Sequence, residues 1–293
     1  MEEVHFSSNQ MGWICGGIDK GLFGDPVLLK TVDGGSSWRS INLSSLQVSK
    51  FITLYPANDS VLYACGPDIS AGGFNSPRVL YKSVDGGDTW RKTVSPTYRT
   101  GSSALYFFNA QMGISATINS LQKTVDGGQT WRTVFDGGLV GLDKLQCFGS
   151  GTGYAAGGYG TDLTNDAGIL LKTIDQGETW QNIPWANGTI TTLSFLNEKV
   201  GFAGTLGQRL YKTLDGGTSW QKVDGLPPST SNGVFLNEQD GYLAGLDVER
   251  THDGGHTWQV EHVLPTNDAC RNIGFSPNGT GIIITNKGLI LKN

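Results

Sequence analysis

Apolar residues recur along this chain in short runs that alternate with polar residues and are broken by glycine-rich turns. Residues 28–31 (Leu-Leu-Lys-Thr) and 80–83 (Leu-Tyr-Lys-Ser) precede such a turn, and residues 180–183 (Trp-Gln-Asn-Ile) and 220–223 (Trp-Gln-Lys-Val) follow one. Alternation with a period of two is typical of strands that bury one face. Glycine accepts the positive φ angles that tight hairpin turns require. The pattern therefore predicts an all-β chain built of short hairpins.

One phrase returns six times: a hydroxyl residue, a mostly apolar residue, Asp, a glycine pair, a variable residue, Ser or Thr, and Trp. The copies occupy residues 31–38, 83–90, 124–131, 173–180, 213–220 and 251–258. Their tryptophans are separated by 52, 41, 49, 40 and 38 residues. A period of about 40–50 residues with strand-like flanks indicates a repeated β-unit. Each Trp is predicted to pack on a neighbouring sheet.

The aspartate of the phrase is predicted to lock its own turn. It is Asp in every copy, whereas the first glycine is replaced once, by Gln176, and the second glycine never. An Asp side chain in a turn accepts hydrogen bonds from nearby backbone N–H groups. A carboxylate repeated at one structural position favours this role over catalysis. The predicted structural residues are Asp33, Asp85, Asp126, Asp175, Asp215 and Asp253.

A second repeated element gives the number of units. A segment of Gly, an aromatic residue, two small residues and Gly, or a variant of it, precedes each phrase, as at residues 12–16 and 153–157. A seventh copy at residues 281–284 is followed by a strand at 289–292, with no seventh phrase after it. The sequence predicts one domain over residues 1–293, a seven-bladed β-propeller whose last blade lacks its outer strand. The blades are predicted at about residues 1–45, 46–98, 99–138, 139–186, 187–226, 227–264 and 265–293.

Either the last blade has three strands, or residues upstream of Met1 supply its fourth; three residues precede the first predicted strand.

The six-fold phrase resembles the Asp-box, or BNR repeat, of certain β-propellers, and the resemblance covers nearly the whole chain. Asp-boxes occur in sialidases, xyloglucan hydrolases, sortilin-like receptors and the photosystem II stability and assembly factor family. A box in nearly every blade, the Phe-Leu-Asn-Glu turns at residues 195–198 and 235–238, and the seven-blade count are most similar to the assembly-factor family. That resemblance implies a non-catalytic binding protein that is secreted or periplasmic, although no signal peptide is recognisable in this sequence.

The composition limits the classes of partner that the chain can bind. The formal net charge of −5 argues against nucleic acid, which requires clustered Lys and Arg. No apolar run approaches the roughly 20 residues of a membrane-spanning helix. Cys15, Cys65, Cys147 and Cys270 are predicted to be free buried thiols. We expect a monomer with no cofactor and no metal, and a protein partner or a glycan bound at the channel mouth.

Three long loops between the second and third strands, residues 16–27, 66–79 and 157–169, are the predicted binding region. They lie on the rim opposite the boxes, together with the crossovers between blades. Mixed charge with aromatic residues is typical of a contact surface. The loop candidates are Asp19, Lys20, Phe23, Asp25, Asp68, Phe74, Arg78, Tyr159 and Asp162. The crossover candidates are Lys50, Arg99, Lys144, Trp185 and Arg271.

The alternative function is that of a glycoside hydrolase, sialidase-like or xyloglucanase-like, or of a glycan-binding protein. A sialidase requires an arginine cluster, yet Arg39, Arg91 and Arg132 follow box tryptophans on the opposite rim. Glycoside hydrolysis requires two carboxylates roughly 5–10 Å apart, and the sequence nominates no pair. The sequence does not decide whether the chain is an enzyme, and it favours an interaction module.

Overall fold

The computed structural model describes residues 1–18, 24–71, 78–94, 104–138, 141–158, 167–225, 232–288 and 290–292. The strands form seven antiparallel sheets, and consecutive strands of the chain are neighbours in each sheet. A one-turn 3-10 helix spans Ile69–Ala71. None of the described residues belongs to a helix with the length and apolarity that crossing a membrane requires.

The first three blades contain strands β1 to β12. Blade 1 comprises β1 (Glu3–Phe6), β2 (Gly12–Ile18), β3 (Asp25–Thr31) and β4 (Arg39–Ser40). Blade 2 comprises β5 (Thr53–Pro56), β6 (Leu62–Pro67), β7 (Arg78–Ser83) and β8 (Arg91–Lys92). Blade 3 comprises β9 (Ala104–Phe107), β10 (Gly113–Ala116), β11 (Ser120–Thr124) and β12 (Arg132–Asp136).

The remaining blades contain strands β13 to β27. Blade 4 comprises β13 (Gly141–Cys147), β14 (Gly153–Gly158), β15 (Gly168–Thr173) and β16 (Gln181–Ile183). Blade 5 comprises β17 (Ile190–Phe195), β18 (Gly201–Thr205), β19 (Leu210–Thr213) and β20 (Gln221–Val223). Blade 6 comprises β21 (Asn232–Phe235), β22 (Gly241–Ala244), β23 (Val248–Thr251) and β24 (Gln259–His262). Blade 7 has three strands, β25 (Cys270–Phe275), β26 (Gly281–Thr285) and β27 (Ile290–Lys292).

The fold is a seven-bladed β-propeller, as the repeats predict, and within the described ranges the sheet of the last blade has three strands. By packing, the chain divides into two compact units. One comprises residues 1–117, 122–133 and 272–293, and the other residues 118–121 and 134–271. The blade boundaries given above remain predictions.

Each box turn is tied to the turn between the first and second strands of its own blade. In blade 2 the N–H of Gly86 donates to the carbonyl of Ser60 at 2.8 Å, and in blade 3 Gly127 donates to Gln111 at 2.7 Å. Gln176, which replaces a glycine in blade 4, donates to Gly151 at 2.9 Å and has a φ of 58°. We call this end of each blade the box edge, and the end that carries the second-to-third loop and the crossover the crossover edge.

Aromatic side chains fill the space between consecutive blades. Tyr63 of blade 2 stacks on Phe107 of blade 3 with centroids 3.6 Å apart, and the box residue Trp131 meets Phe107 edge-on at 6.2 Å. Blades 4 and 5 repeat the arrangement: Tyr154 stacks on Phe195 with centroids 3.7 Å apart, and Trp220 meets Phe195 edge-on at 6.0 Å. The box tryptophan therefore packs on the first strand of its own blade, against the preceding blade.

In blades 2 and 4 a lysine placed just before the box joins the blade to the next one. Lys82 lies 4.9 Å from the centre of the Tyr63 ring and donates to the carbonyls of Gly127 (3.3 Å) and Ala110 (3.4 Å) in blade 3. Lys172 in blade 4 lies over Tyr154 and donates to the carbonyl of Gly216 in blade 5 at 3.0 Å. The ammonium group thus combines a cation–π contact with hydrogen bonds to the neighbouring turn.

Blade 7 packs against blade 1. The amide of Val4 donates to Oδ1 of Asn272 at 3.5 Å, and Nζ of Lys292 donates to the hydroxyl of Ser36 at 2.9 Å. Val4 and Ile282 belong to one buried apolar cluster. The prediction for the cysteines is confirmed, since Cys15, Cys65, Cys147 and Cys270 are all free and buried.

Candidate interaction site

The box carboxylates are fully used within their own turns. Oδ1 of Asp126 accepts from the Thr124 hydroxyl at 2.8 Å and from the Thr130 amide at 2.9 Å, and Oδ2 accepts from the Thr130 hydroxyl at 2.6 Å. The Thr124 hydroxyl accepts in turn from the Gly128 amide at 2.9 Å. The hydrogen bonds from Thr130, the largest cause, lower the pKa of Asp126 to about 2. Both oxygens of this carboxylate thus accept hydrogen bonds from the turn that carries it.

The other five boxes have the same hydrogen bonds, between the carboxylate and the hydroxyl residues that precede and follow it. The pKa is lowered to about 2 in Asp33, Asp85, Asp175 and Asp215 and is also lowered in Asp253. In Asp85 and Asp175 burial raises the pKa, and the hydrogen bonds from Thr89 and Thr179 outweigh it.

The predicted binding residues divide between described and undescribed parts of the chain. Asp25, Asp68 and Arg78 lie on the crossover edges of blades 1 and 2, and Lys144, Trp185 and Arg271 lie on β13, on the crossover after β16 and on β25. The others lie outside the described residues: Asp19, Lys20, Phe23, Phe74, Arg99, Tyr159 and Asp162.

The crossover from blade 1 to blade 2 runs across the glycine-bearing ends of β2 and β6. The Phe51 amide donates to the Gly16 carbonyl at 3.1 Å, and the Ile52 amide donates to the Cys65 carbonyl at 2.8 Å. A side chain on Gly66 would overlap the carbonyl oxygen of Lys50. The final glycine of the Gly-aromatic-small-small-Gly element therefore admits the crossover backbone at close range.

This crossover brings Lys50 beside Asp25. A Cβ placed on Gly17 would lie 2.5 Å from Cβ of Lys50 and 3.3 Å from the carbonyl oxygen of Asp25. Nζ of Lys50 pairs with Oε1 of Glu2 at 2.8 Å, with 43% of the lysine side chain still exposed. Ile18, directly across the β2–β3 ladder from Asp25, is 55% exposed. A cation, two carboxylates and an aliphatic side chain thus share the crossover edge of blade 1.

Asp68 anchors the second half of this crossover. Its Oδ2 accepts from Nζ of Lys92 at 2.5 Å, its Oδ1 accepts from the Ser70 amide at 3.0 Å, and only 4% of the residue is exposed. Burial raises the pKa of Asp68, but the hydrogen bonds from Lys92 and Ser70 outweigh it and lower the pKa. Asp68 also forms an isolated bridge with Val48 of the crossover. Its carboxylate is therefore engaged by the fold, whereas the Lys92 side chain is 55% exposed.

Arg78 lies next to this anchor, because it is paired with Pro67 across the β6–β7 ladder. The structure therefore brings Asp25 together with Lys50, and Arg78 together with Asp68 and Lys92. We define the blade 1–2 surface as Ile18, Asp25, Lys50, Arg78 and Lys92.

Trp185 packs against the aromatic residues of blade 5. Its Nε1 donates to the Gly188 carbonyl at 2.7 Å, and its ring meets Tyr211 and Trp220 edge-on with centroids 5.4 and 5.2 Å apart. It is half-buried against the apolar cluster of blades 4 and 5. Lys144 follows a bulge in β13, and Arg271 is exposed on β25.

The sequence places Lys50 among the crossover candidates but does not select Ile18, Lys92 or Glu2 as binding residues. The glycine pair Gly16-Gly17 offers a signal for Lys50, since two glycines at a strand end indicate a backbone passing close by. Lys92, the second residue after Trp90, has no such signal because its partner Asp68 is 24 residues away.

Comparison with known proteins addresses the fold. No family model matches this chain, and no curated protein matches it. Among solved structures, YCF48 bound to D1 peptide is 19% identical with a TM-score of 0.72, over 99% of this chain and 91% of that chain. YCF48 from Cyanidioschyzon merolae is 17% identical with a TM-score of 0.75, over 99% of this chain and 94% of that chain. The fold is that of the YCF48 propellers.

The predicted similarity to the photosystem II assembly-factor propellers is thereby confirmed for the fold. The GH74 enzyme of Niastella koreensis is also similar, at 17% identity and a TM-score of 0.72. The match covers 99% of this chain but 51% of that enzyme, so this chain spans about half of its length.

Proposed function

We propose that this chain is a non-catalytic binding propeller that acts in protein interaction or complex assembly outside the cytoplasm. The observation that carries the proposal is that the fold itself engages these carboxylates in hydrogen bonds and ion pairs. The box carboxylates accept hydrogen bonds from their own turns, Asp68 is buried against Lys92, and Glu2 is paired with Lys50. The blade 1–2 surface offers a partner three cationic side chains, the exposed aliphatic side chain of Ile18 and one carboxylate, that of Asp25.

A protein partner fits this surface. Ile18 supplies an exposed aliphatic group on blade 1 near Lys50, and Arg78 and Lys92 supply further donors on blade 2. An apolar centre with charged groups at its rim is the usual anatomy of a protein–protein contact. The similar propeller YCF48 is known in complex with a D1 peptide, which supports a peptide segment as the kind of partner to test first.

Charge reversal at the surface tests the proposal. We expect the variant Lys50→Glu/Arg78→Glu to lose at least tenfold in the amount of cross-linked partner captured from extract of the source cells. The matched control is Lys222→Glu, because Lys222 is 57% exposed on blade 5 and pairs with the exposed Asp224. Equal capture by both variants of a partner that binds the unaltered chain would contradict the assignment of this surface.

A glycoside hydrolase or glycan-binding protein is the second candidate, and the similarity to the GH74 enzyme favours testing it. Incubation with xyloglucan and with sialylated glycans, followed by measurement of released sugar, separates the two functions. We expect no release. Release that Asp25→Asn or Glu2→Gln abolishes, in a folded variant, would replace the binding proposal with a hydrolase.

The location outside the cytoplasm and the monomeric state belong to the same proposal. Both are supported by the resemblance to the assembly-factor family. Fractionation of the source cells checks the first, and detection in the cytoplasmic fraction would contradict it. Light scattering on the purified chain checks the second, with the mass of one chain expected.

A further inference from the structure

The chain contains three copies of the dipeptide Asn-Gly, at residues 187–188, 232–233 and 278–279. In this dipeptide the backbone nitrogen of the glycine can attack the side-chain carbonyl carbon of the asparagine, and the glycine has no side chain to hinder the approach. The product is a five-membered succinimide ring. Because the two residues are the same in each copy, the local backbone and its hydrogen bonds decide how readily each copy reacts.

In the copy at residues 278–279, hydrogen bonds of the turn hold both reacting groups. The N–H of Gly279 donates to the carbonyl of Ser276 at 2.9 Å. Oδ1 of Asn278 accepts from the Thr280 amide at 3.3 Å and also from the Ser276 hydroxyl. The glycine nitrogen becomes a nucleophile only when it loses its proton, and that loss sacrifices the hydrogen bond to Ser276. The turn therefore protects Asn278.

In the copy at residues 232–233, the backbone is held in a strand. Asn232 pairs with Ala244, and Gly233 pairs with Leu243, across the β21–β22 ladder. The N–H of Gly233 donates to Oδ1 of Asn232 itself at 3.0 Å. Ring closure requires rotation of the Asn232 backbone away from the extended conformation, and the ladder opposes this rotation. The strand therefore protects Asn232.

The copy at residues 187–188 has neither restraint. It lies in the crossover between β16 and β17, outside the strands, and Asn187 is half-buried. Within the ranges that the structure describes, neither the Asn187 side chain nor the Gly188 N–H forms a hydrogen bond. No hydrogen bond therefore has to break before the glycine nitrogen approaches the side-chain carbonyl carbon.

We propose that Asn187 is a site of spontaneous deamidation in the folded chain. Hydroxide removes the proton from the Gly188 nitrogen, which then forms a bond to Cγ of Asn187. The bond from Cγ to Nδ2 breaks, and Nδ2 leaves as ammonia. Water then adds to one of the two carbonyl carbons of the succinimide, and the ring opens to aspartate or to isoaspartate. The net reaction consumes one water and releases one ammonia.

Isoaspartate at this position changes the surroundings of Trp185. It adds one carbon atom to the main chain before Gly188, whose carbonyl accepts from Nε1 of Trp185 at 2.7 Å. The Gly188 carbonyl has little room to move toward β15, since a Cβ on Gly168 would lie 2.0 Å from its oxygen. A displaced carbonyl leaves the indole N–H of Trp185 without this acceptor. The modification thus acts on a crossover residue that the sequence nominates for partner binding.

Peptide mapping by mass spectrometry tests the site on the intact chain, incubated at mildly alkaline pH. The same chain unfolded in urea is the reference, because the three dipeptides there have no fold to distinguish them. We expect Asn187 to convert at least tenfold faster than Asn232 and Asn278 in the folded chain, and all three to convert at similar rates in urea. Equal rates in the folded chain, faster conversion at Asn232 or Asn278, or no conversion at Asn187 while the unfolded chain converts would each overturn the proposal.

The variant Asn187→Gln is the matched control, since a glutamine would have to close a six-membered ring, which forms more slowly. The indole N–H resonance of Trp185, observed by NMR, reports the hydrogen bond to Gly188. We expect this resonance to shift in the unaltered chain as isoaspartate accumulates, and to stay constant in Asn187→Gln over the same time. Conversion that leaves the resonance unmoved would overturn the effect on Trp185.

Discussion

At the scale of the residue, the second glycine of each box is fixed by two independent constraints. Its φ lies between 75° and 95° in every copy, a region that favours glycine. Its α-carbon also faces the preceding blade, so that a Cβ on Gly87 would lie 3.2 Å from Nε1 of Trp13. The first glycine is also crowded, since a Cβ on Gly86 would lie 2.9 Å from the carbonyl oxygen of Asp59, yet Gln176 occupies this position in blade 4 with a φ of 58°. The second position is glycine in every copy.

Three glycine variants separate the two constraints. Gly87→Ala should lower the free energy of unfolding by about 2 kcal/mol or more, because it adds crowding to an unfavourable φ. Gly138→Ala should lower it by about 1 kcal/mol, since Gly138 has a φ of 68° and no atom within 4 Å of its Cβ position. Gly149→Ala, in open space without a left-handed φ, should change it little. Urea denaturation gives all three values, and equal effects at Gly87 and Gly138 would contradict the packing argument.

At the scale of the element, the third strands of blades 2 and 4 carry both the start of the box and the link to the next blade. Lys82 is 7% exposed, and its contacts are to Tyr63 in its own blade and to the turn carbonyls of Ala110 and Gly127 in the next. Burial lowers the pKa of Lys82, yet the carbonyls and the ring provide partners for the charge. Lys82 therefore couples two sheets that share no strand.

Lys82→Met should destabilise the fold by about 1–3 kcal/mol, because it leaves the Gly127 carbonyl without this donor while keeping the side-chain bulk. Lys222→Met is the matched control, since Lys222 pairs with the exposed Asp224 at the surface, where such pairs contribute at most about 1 kcal/mol. Thermal unfolding of the two variants gives the comparison. A loss at Lys222 as large as that at Lys82 would contradict the role of the buried ammonium group.

At the scale of the whole molecule, the six boxes give the fold a common response to acid. The pKa values of Asp33, Asp85, Asp126, Asp175 and Asp215 are lowered to about 2 in the folded chain, against about 3.9 for an unfolded aspartate. A lowered folded pKa means that the stabilisation is complete above the unfolded pKa and is lost as pH falls through the folded pKa. The pKa is lowered at every box, so protonation of any of these aspartates destabilises the folded chain.

We expect the stability of the chain to be constant near neutral pH and to fall steeply between about pH 5 and pH 2. Asp215→Asn should be less stable at pH 7 than the unaltered chain, because Asn cannot accept both the Ser219 hydroxyl and the Ser219 amide as the carboxylate does. The difference between the two should shrink as pH falls, since the carboxylate loses its advantage once protonated. Urea titrations at pH 7, 5, 4 and 3 measure it; a gap that stays constant over this range would contradict the argument.

The repeated boxes predict the propeller because their local chemistry is complete within eight residues. Asp126, Thr124 and Thr130 satisfy one another's hydrogen bonds inside a single turn, so the sequence alone indicates the hairpin. The count of second strands likewise predicts the three-stranded sheet of blade 7. The candidate site was harder to predict from the sequence. Asp68 is recognisable as a loop carboxylate, but its pairing with Lys92 joins residues that are 24 positions apart.

The amino-acid sequence by itself determined the all-β class, the hairpin turns and the number of blades, because each depends on residues that are close together along the chain. The tertiary structure decided which charged groups remain available and which the fold uses. Lys50 meets Glu2 and Lys82 meets Gly127, and each of these contacts depends on separate strands coming together. Packing energies fall off within a few ångströms and electrostatic energies within about 10 Å at physiological salt, so both follow distance in space rather than distance along the chain.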